Sequence, residues 1–302
     1  MFPLAHLRAL WGRWWLAPFA PLPLLPILAW TGNLRIEHIV IVAVLVVLGV
    51  ATARTRALLI ACVPGVAVGL GYEIIRFLRP VFITPDKVLG CDLAAFEARF
   101  FGLPDGRTLP DFFVAHHTRF WDFFFAVPYT IFWMAAVAYG IVLFFTNRPR
   151  MRRFLWVLAA THAVAFAIWL IWPAAPPWYI REYGCAIDMN ALPDAAALSR
   201  LDDYLGISYF RDYYSRTPNV FGALPSLHCA FPTAALVSAW PDSGWRERAL
   251  HVFLILWMLS ASVYLDHHWL VDGLAGIAIV IAVHAVIHAI PEALRRRRAM
   301  GA

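Results

Sequence analysis

Long, nearly uninterrupted runs of apolar residues restrict this chain to one class of fold. The runs lie at about 14–31, 37–53, 57–75, 121–146, 154–172, 224–240, 249–265 and 269–290. A bilayer core about 30 Å thick is crossed by roughly 20 apolar residues in a helix, so most of these runs are close to the required length. Because a spanning segment must satisfy its own backbone polar groups, helices are favoured. We predict an all-α, polytopic membrane bundle of about eight transmembrane helices.

Composition supports a membrane protein and argues against nucleic acid as a partner. Of the 302 residues, 62% are hydrophobic and 15% are charged, whereas a soluble domain is nearer a quarter charged. The net charge of +6 comes from arginines that lie between the apolar runs, without a nucleic-acid-binding motif. Arginines in such positions orient a membrane protein and attract anionic lipid head groups.

Three parts are predicted along the chain. Residues 1–56 hold two N-terminal membrane helices, residues 57–290 form a six-helix catalytic core, and residues 291–302 form a basic cytoplasmic tail. Three prolines, at positions 21, 23 and 26, interrupt the first apolar run. That segment therefore fits a re-entrant or interfacial helix as well as a full span.

The basic residues predict the orientation of the bundle. Five arginine clusters lie before the first apolar run and after every second one, so eight crossings place all of them on one side: 8–13, 54–56, 148–153, 246–248 and 295–298. The positive-inside rule then places both termini in the cytoplasm and two long loops, 76–120 and 173–223, on the other side. Richness in alanine, arginine and proline suggests a bacterial inner membrane, with those loops on the periplasmic face.

Cys91 and Cys185 fall in these two loops, so a disulfide between them is a hypothesis. None of the four cysteines forms a CxxC pair, which argues against a cysteine zinc site.

A first chemical motif, FGALPSLH, occupies residues 221–228, where an apolar helix begins. Proline suits the first turn of a helix. The unpaired N–H groups of that turn can hold phosphate oxygens. Ser226 adds a hydroxyl donor, and His228, one turn in, is placed to protonate a leaving oxygen.

A second motif, YLDHHWLVDG, occupies residues 264–273 and opens the last apolar helix. His268 and Asp272 are four residues apart and share one face of the helix. A carboxylate there accepts the imidazole N–H and increases the basicity of the other nitrogen, as a nucleophile or base requires. Both motifs fall at the outer ends of their helices. Zinc bound by His228, His268 and Asp272 is an alternative, but it leaves the Pro-Ser helix start unexplained.

A third candidate element is GLGYEIIRFLRP, residues 69–80. Arg76 and Arg79 could clamp a phosphate, and Tyr72 could bind a hydroxyl group. The alternative is a pair of arginines whose side chains extend from the membrane into the interface. The remaining histidines in the apolar helices, such as His162 and His251, are interpreted as packing residues.

The first two motifs resemble those of the type 2 phosphatidic acid phosphatase superfamily, which joins Pro-Ser-x-His to a later His-x-x-x-Asp. Together with PAAPPWY at 173–179, they are similar to the inositol phosphorylceramide synthase branch, and the resemblance covers residues 70–290. It implies that His268 attacks phosphorus to form a phosphohistidine, that His228 is the general acid and that Asp272 orients His268. Ser226 and basic side chains of 76–79 would hold the phosphoryl oxygens, with no metal or organic cofactor.

Two departures from the superfamily pattern concern the substrate. The phosphatases present a lysine where this chain has Tyr72, and an arginine where it has Ser262. Fewer cations favour a singly charged phosphodiester over a phosphomonoester. The leading hypothesis is therefore transfer of a phosphoinositol-type head group from a glycerophospholipid to a lipid alcohol such as ceramide. The alternatives are a lipid phosphatase acting on phosphatidic acid or a polyprenyl (di)phosphate, and a transporter or scaffold without catalysis.

Overall fold

The computed structural model describes residues 4–289, and this part of the chain is helical, with isolated β-bridges and no strand. The helices are α1 (Leu4–Trp11), α2 (Leu24–Trp30), α3 (Ile36–Ala51), α4 (Ala53–Phe82), α5 (Cys91–Phe101), α6 (Leu109–Ala115), α7 (Arg119–Thr146), α8 (Arg148–Ile171), α9 (Pro177–Tyr183), α10 (Ser199–Leu205), α11 (Tyr209–Tyr214), α12 (Leu227–Ala239), α13 (Trp245–Tyr264) and α14 (Leu270–His284). The predicted all-α membrane bundle is confirmed. The predicted basic tail, 291–302, lies outside the described residues.

Four of the described helices are long and apolar enough to cross a membrane: α4, α7, α8 and α14 with the turn that follows it. The chain is therefore an integral membrane protein. The first predicted segment is not one continuous helix: 3-10 turns at Gly12–Trp14 and Ala17–Phe19 precede the seven-residue α2. Proline lacks the N–H that a continuous helix needs, which explains the interruption.

The chain divides into two compact units between Pro64 and Gly65. This division falls within α4, as does the predicted boundary after residue 56. In the first unit, α1 is bound to the end of α3: Nε1 of Trp11 donates to the carbonyl oxygen of Gly49 at 2.8 Å. A side chain on Gly49 would clash with Pro18, because a Cβ there would lie 2.8 Å from the proline ring.

In the second unit, α12 is the central helix and packs against α7, α8, α13 and α14. Small residues make this possible, since Cys229, Ala230 and Ala234 are completely buried. Side chains of this size let neighbouring backbones approach closely, as is typical of helix contacts in membranes.

The closest approach joins the start of α12 to α14. The backbone N–H of Ser226 donates to the carbonyl oxygen of Asp272 at 2.9 Å. A Cβ on Gly276 would lie only 2.2 Å from the carbonyl oxygen of Ser226. Glycine at 276 is therefore required for the two predicted motifs to meet.

The two long loops, 76–120 and 173–223, support the start of α12 through a short parallel ladder. Ala174 bridges to Leu89 on one side and to Gly222 on the other. The backbone N–H of Ala223 donates to the oxygen of Ala174 at 3.2 Å, and that of Ala175 donates to the oxygen of Leu89 at 2.9 Å. The proline-rich segment 173–177 therefore lies between Leu89 of the first loop and the strand-like start of FGALPSLH, and it is hydrogen-bonded to both.

Cys91 and Cys185 form a disulfide, with their Cα atoms 5.3 Å apart. The bond joins the first residue of α5 to the loop after α9. The pairing hypothesised from the sequence is present, and it closes a loop of 94 residues that includes α7 and α8.

Replacing Gly276 with alanine should destabilise the protein, because the added methyl group meets a backbone carbonyl that cannot move without shifting α12. We expect a loss of about 1–3 kcal/mol, as for other overpacked cores, measured as a lower midpoint of thermal unfolding in detergent. Gly69→Ala in α4 is the control, since nothing lies within 4 Å of that position. A stable Gly276→Ala protein would contradict the contact.

Candidate active site

The backbone between α13 and α14 turns so that His267 and His268 are held by one carbonyl group. The backbone N–H of His268 and that of His267 donate to the oxygen of Ser262, at 3.1 Å and 3.2 Å. Both imidazoles are buried, with 6% and 7% of their surface exposed. Ser262 stands where the phosphatases carry an arginine. It therefore contributes its main-chain carbonyl group to the site.

The imidazoles of His228 and His268 face each other. Nδ1 of His228 lies 3.2 Å from Nε2 of His268. Nδ1 of His268 lies 2.9 Å from the carbonyl oxygen of Ala223. Because a carbonyl oxygen only accepts, Nδ1 of His268 carries the hydrogen and its Nε2 keeps a lone pair. The structure thus brings together the predicted nucleophile and the predicted acid, which are 40 residues apart in sequence.

Asp272 lies behind His268, but the shortest hydrogen bond of the His268 Nδ1 is made with Ala223 and not with Asp272. The carboxylate oxygen Oδ2 is 3.5 Å from Nδ1 of His268 and accepts the backbone N–H of Trp269 at 2.9 Å. Ala223 therefore provides the directional bond, while the buried carboxylate supplies a negative charge close to the ring. Among the residues described, no group of three His, Cys, Asp or Glu side chains is arranged to hold a metal ion.

The hydroxyl oxygen of Ser226 is also buried at this helix start. This oxygen has no hydrogen-bond partner in the described part of the chain, and the side chain does not cap α12. Its predicted role in binding a phosphoryl oxygen stays a prediction.

Glu97 was not predicted, yet it anchors the helix that carries Asp272. Its two carboxylate oxygens accept the backbone N–H groups of Leu270 and Val271, at 2.8 Å and 3.2 Å. Burial raises the pKa of Glu97, and these two hydrogen bonds oppose that rise. Nothing in its local sequence marks this residue, because its partners lie more than 170 positions away.

Tyr129 of α7 is a second residue that the sequence does not reveal. Its hydroxyl oxygen is 3.0 Å from Nδ1 of His228, and its ring stacks on that imidazole with centroids 4.0 Å apart. His267 stacks on Tyr129 at 5.2 Å and in turn contacts Tyr214 at 4.6 Å. A rotating hydroxyl can accept from His228 when its Nδ1 is protonated and donate when it is not.

Burial makes His267 a neutral member of this stack, because it lowers the pKa of the imidazole to about 3. The neighbouring Asp266 is buried as well, and burial raises its pKa to about 6, opposed by Arg181. Arg181 pairs with Asp266 and also with Asp111, the latter at 3.0 Å. This guanidinium group therefore fastens α6 and α9 to the loop that carries His268.

In the third predicted element, residues 69–80, the side chains of Arg76, Arg79 and Tyr72 contact other parts of the protein. Arg76 lies 3.3 Å from Glu73 and 3.2 Å from the carbonyl oxygen of Arg216, and Arg79 donates to the oxygen of Met189 at 3.0 Å. Tyr72 packs against the rings of Phe166 and Trp169. These contacts tie α4 to the loop before α12, and a role in binding phosphate stays a prediction.

A helical membrane bundle that brings a buried histidine, His268, against a partly buried one, His228, with a carboxylate behind His268, is the arrangement of an integral membrane phosphotransfer enzyme. Comparison with known families agrees with this assignment. The PAP2 superfamily model matches residues 92–286, and the chain belongs to that superfamily. The family resemblance predicted from the motifs is confirmed.

Several curated relatives are synthases of inositol-containing sphingolipids. The chain is 33% identical over 251 residues to a phosphoinositol dihydroceramide synthase of Bacteroides thetaiotaomicron, and the match covers 82% of each chain. It is 29% identical over 179 residues to the inositol phosphorylceramide synthase catalytic subunit of Saccharomyces cerevisiae, covering 57% of this chain and 43% of that one. No solved structure matches the chain.

Replacing Tyr129 with phenylalanine should lower the turnover number about tenfold, because it removes one hydrogen bond to His228 and leaves the stacked ring in place. The KM values for both lipids should change little. Steady-state kinetics in proteoliposomes measures both constants. The control is Tyr139→Phe, which removes another buried hydroxyl from the same helix. Equal effects of the two variants would contradict a specific role for Tyr129.

Proposed function

We propose that this enzyme transfers a phosphoinositol-type head group from a glycerophospholipid to a lipid alcohol such as ceramide, through a phosphohistidine on His268. The observation that carries the proposal is the apposition of Nε2 of His268 and Nδ1 of His228 at 3.2 Å. A nucleophile and a proton carrier directed at one point are what two successive displacements at phosphorus require. The names of the curated relatives support the choice of lipids.

In the first step, Nε2 of His268 attacks phosphorus and the bond from phosphorus to the glycerolipid oxygen breaks. The electron pair stays on the leaving oxygen, which takes the proton from Nδ1 of His228; His228 enters this step as an imidazolium, keeps its Nε2–H and becomes neutral. The His268 ring is then cationic, with its Nδ1–H bound to the oxygen of Ala223. Asp272, 3.5 Å away, stabilises that positive charge. Because 3.2 Å leaves no room for a phosphorus atom, the two imidazoles move apart when the donor binds.

In the second step, the hydroxyl oxygen of the acceptor attacks phosphorus while His228 takes its proton. The bond from phosphorus to Nε2 breaks, and His268 regains its lone pair. Tyr129 supports His228 in both states, accepting from Nδ1–H before the first proton transfer and donating to the bare nitrogen after it. The cycle returns both histidines to their starting protonation states.

A singly charged phosphodiester fits the surroundings better than a phosphomonoester. Ser262, at the position of a phosphatase arginine, is completely buried, and its hydroxyl group donates to the carbonyl oxygen of Leu259 at 2.8 Å. Tyr72, at the position of a phosphatase lysine, is packed among aromatic rings. Neither residue supplies a cation, so a second negative charge on the substrate would be poorly compensated.

We place the site on the non-cytoplasmic face of a bacterial inner membrane. Arg150 and Arg153 pair with Asp242 at the start of α8, at distances of 3.1 Å and 3.0 Å. The positive-inside rule puts this basic end in the cytoplasm. The histidines lie at the start of α12 and α14, which is the opposite end of the bundle. Donor and acceptor lipids would then be drawn from the outer leaflet.

Reconstituted protein supplied with radiolabelled phosphatidylinositol and ceramide should form a new labelled lipid, and formation should require ceramide. His268→Ala should abolish this product, a loss of about 10⁴-fold or more, as for other lost nucleophiles. His228→Ala should lower the rate by about 10²–10⁴-fold. Thin-layer chromatography resolves the lipid products.

His284→Ala is the matched control, since this histidine lies at the other end of the same helix, α14. Its activity should equal that of the unaltered protein. Release of water-soluble inositol phosphate that needs His268 but not ceramide would contradict transfer and show a hydrolase. Lipid turnover that survives His268→Ala would contradict the assigned nucleophile.

A further inference from the structure

Two buried hydrogen-bond donors flank the backbone of Gly222, next to the residue that binds the nucleophile. Nδ2 of Asn219 and Nε1 of Trp169 have no hydrogen-bond acceptor among the residues that the structure describes. A Cβ built on Gly222 would lie 3.3 Å from Nδ2 of Asn219. It would also lie 3.3 Å from Cε2 of Trp169, the carbon bonded to Nε1. The two side chains that carry these donors therefore pack against the same glycine.

Local structure uses only one half of the Asn219 side chain. Its Oδ1 accepts the backbone N–H of Phe221 at 3.1 Å, which shapes the turn into the FGALPSLH motif. The amide NH₂ takes no part in that turn. Asn219 and Trp169 are each only 6% exposed, and a buried donor without an acceptor costs folding free energy. Two such donors on side chains that pack against one glycine therefore indicate a ligand.

The chemistry of the pair restricts that ligand. An indole N–H and an amide NH₂ only donate, so the ligand must present acceptor oxygens. Neither group is charged, whereas phosphate is typically bound by arginine, lysine or backbone amides. Neutral donors fit the neutral hydroxyl groups of a polyol. We propose that Asn219 and Trp169 form a subsite for the hydroxyl groups of the transferred head group.

The subsite adjoins the nucleophile. Gly222 precedes Ala223, whose carbonyl oxygen binds Nδ1 of His268 at 2.9 Å. Gly222 is also held in place by its bridge to Ala174. The head group stays bonded to phosphorus through both displacements, while the two lipid alcohols exchange. A contact beside His268 therefore holds the part of the substrate that does not leave, an inference that rests on the proposed function.

Asn219→Asp tests the subsite because it keeps Oδ1 for Phe221 and removes the amide donor. Trp169→Phe removes the indole donor without adding charge. We expect each variant to raise the KM for phosphatidylinositol about tenfold, the effect of losing one hydrogen bond. In Trp169→Phe, the variant that adds no charge, the inhibition constant of phosphatidylmethanol should stay within about twofold. That competitor shares the diacyl phosphodiester but lacks the polyol, so it separates hydroxyl contacts from phosphate contacts.

Trp257→Phe is the matched control, because it removes another buried and unpartnered indole N–H, from α13. Equal rises in the KM and in the inhibition constant would show a phosphate contact and overturn the subsite, as would two unchanged constants. A protein that hydrolyses phosphatidylinositol without transfer refutes the proposed function alone, since the same constants are measured on hydrolysis. A protein inactive on phosphatidylinositol refutes both.

Discussion

The site depends on one close backbone contact, between the start of α12 and the first turns of α14. The amide of Ser226 binds the carbonyl oxygen of Asp272 at 2.9 Å, and the absence of a side chain at Gly276 lets the two backbones meet. His228 follows Ser226 by two residues, and His268 precedes Asp272 by four. The contact therefore brings the two imidazoles to the same end of the bundle, where the proposed displacement at phosphorus needs both of them.

The loops 76–120 and 173–223 hold this contact in place. Glu97 caps α14, the segment around Ala174 forms a ladder with the start of FGALPSLH, and the disulfide of Cys91 joins these loops. A bundle of apolar helices alone leaves its helix ends free to shift. Buried hydrogen bonds restrict the positions of those helix ends, because breaking one would leave a buried donor or acceptor without a partner. We infer that the loops are part of the catalytic apparatus.

The helical bundle and three residues that meet in the candidate site were predictable, since apolar runs and helix-start motifs are local signals. His228, His268 and Asp272 stand in two such motifs, and the structure brings them together. Tyr129 and Glu97 were not predictable, because their roles arise from contacts across 99 and 173 positions. The first apolar run also differed from a single span, because its prolines break the helix. The contacts of Arg76 and Arg79 were not predictable either, because the sequence shows their charge but not the path of the loop whose carbonyl oxygens they bind.

The most direct test of the central claim is to trap the covalent intermediate. The enzyme is mixed with phosphatidylinositol in the absence of an acceptor, quenched within milliseconds at alkaline pH and digested for mass spectrometry. The account predicts an acid-labile phosphoinositol adduct on His268, which disappears when ceramide is added before the quench. An adduct on His228, or ceramide-dependent product without any adduct on His268, would contradict it.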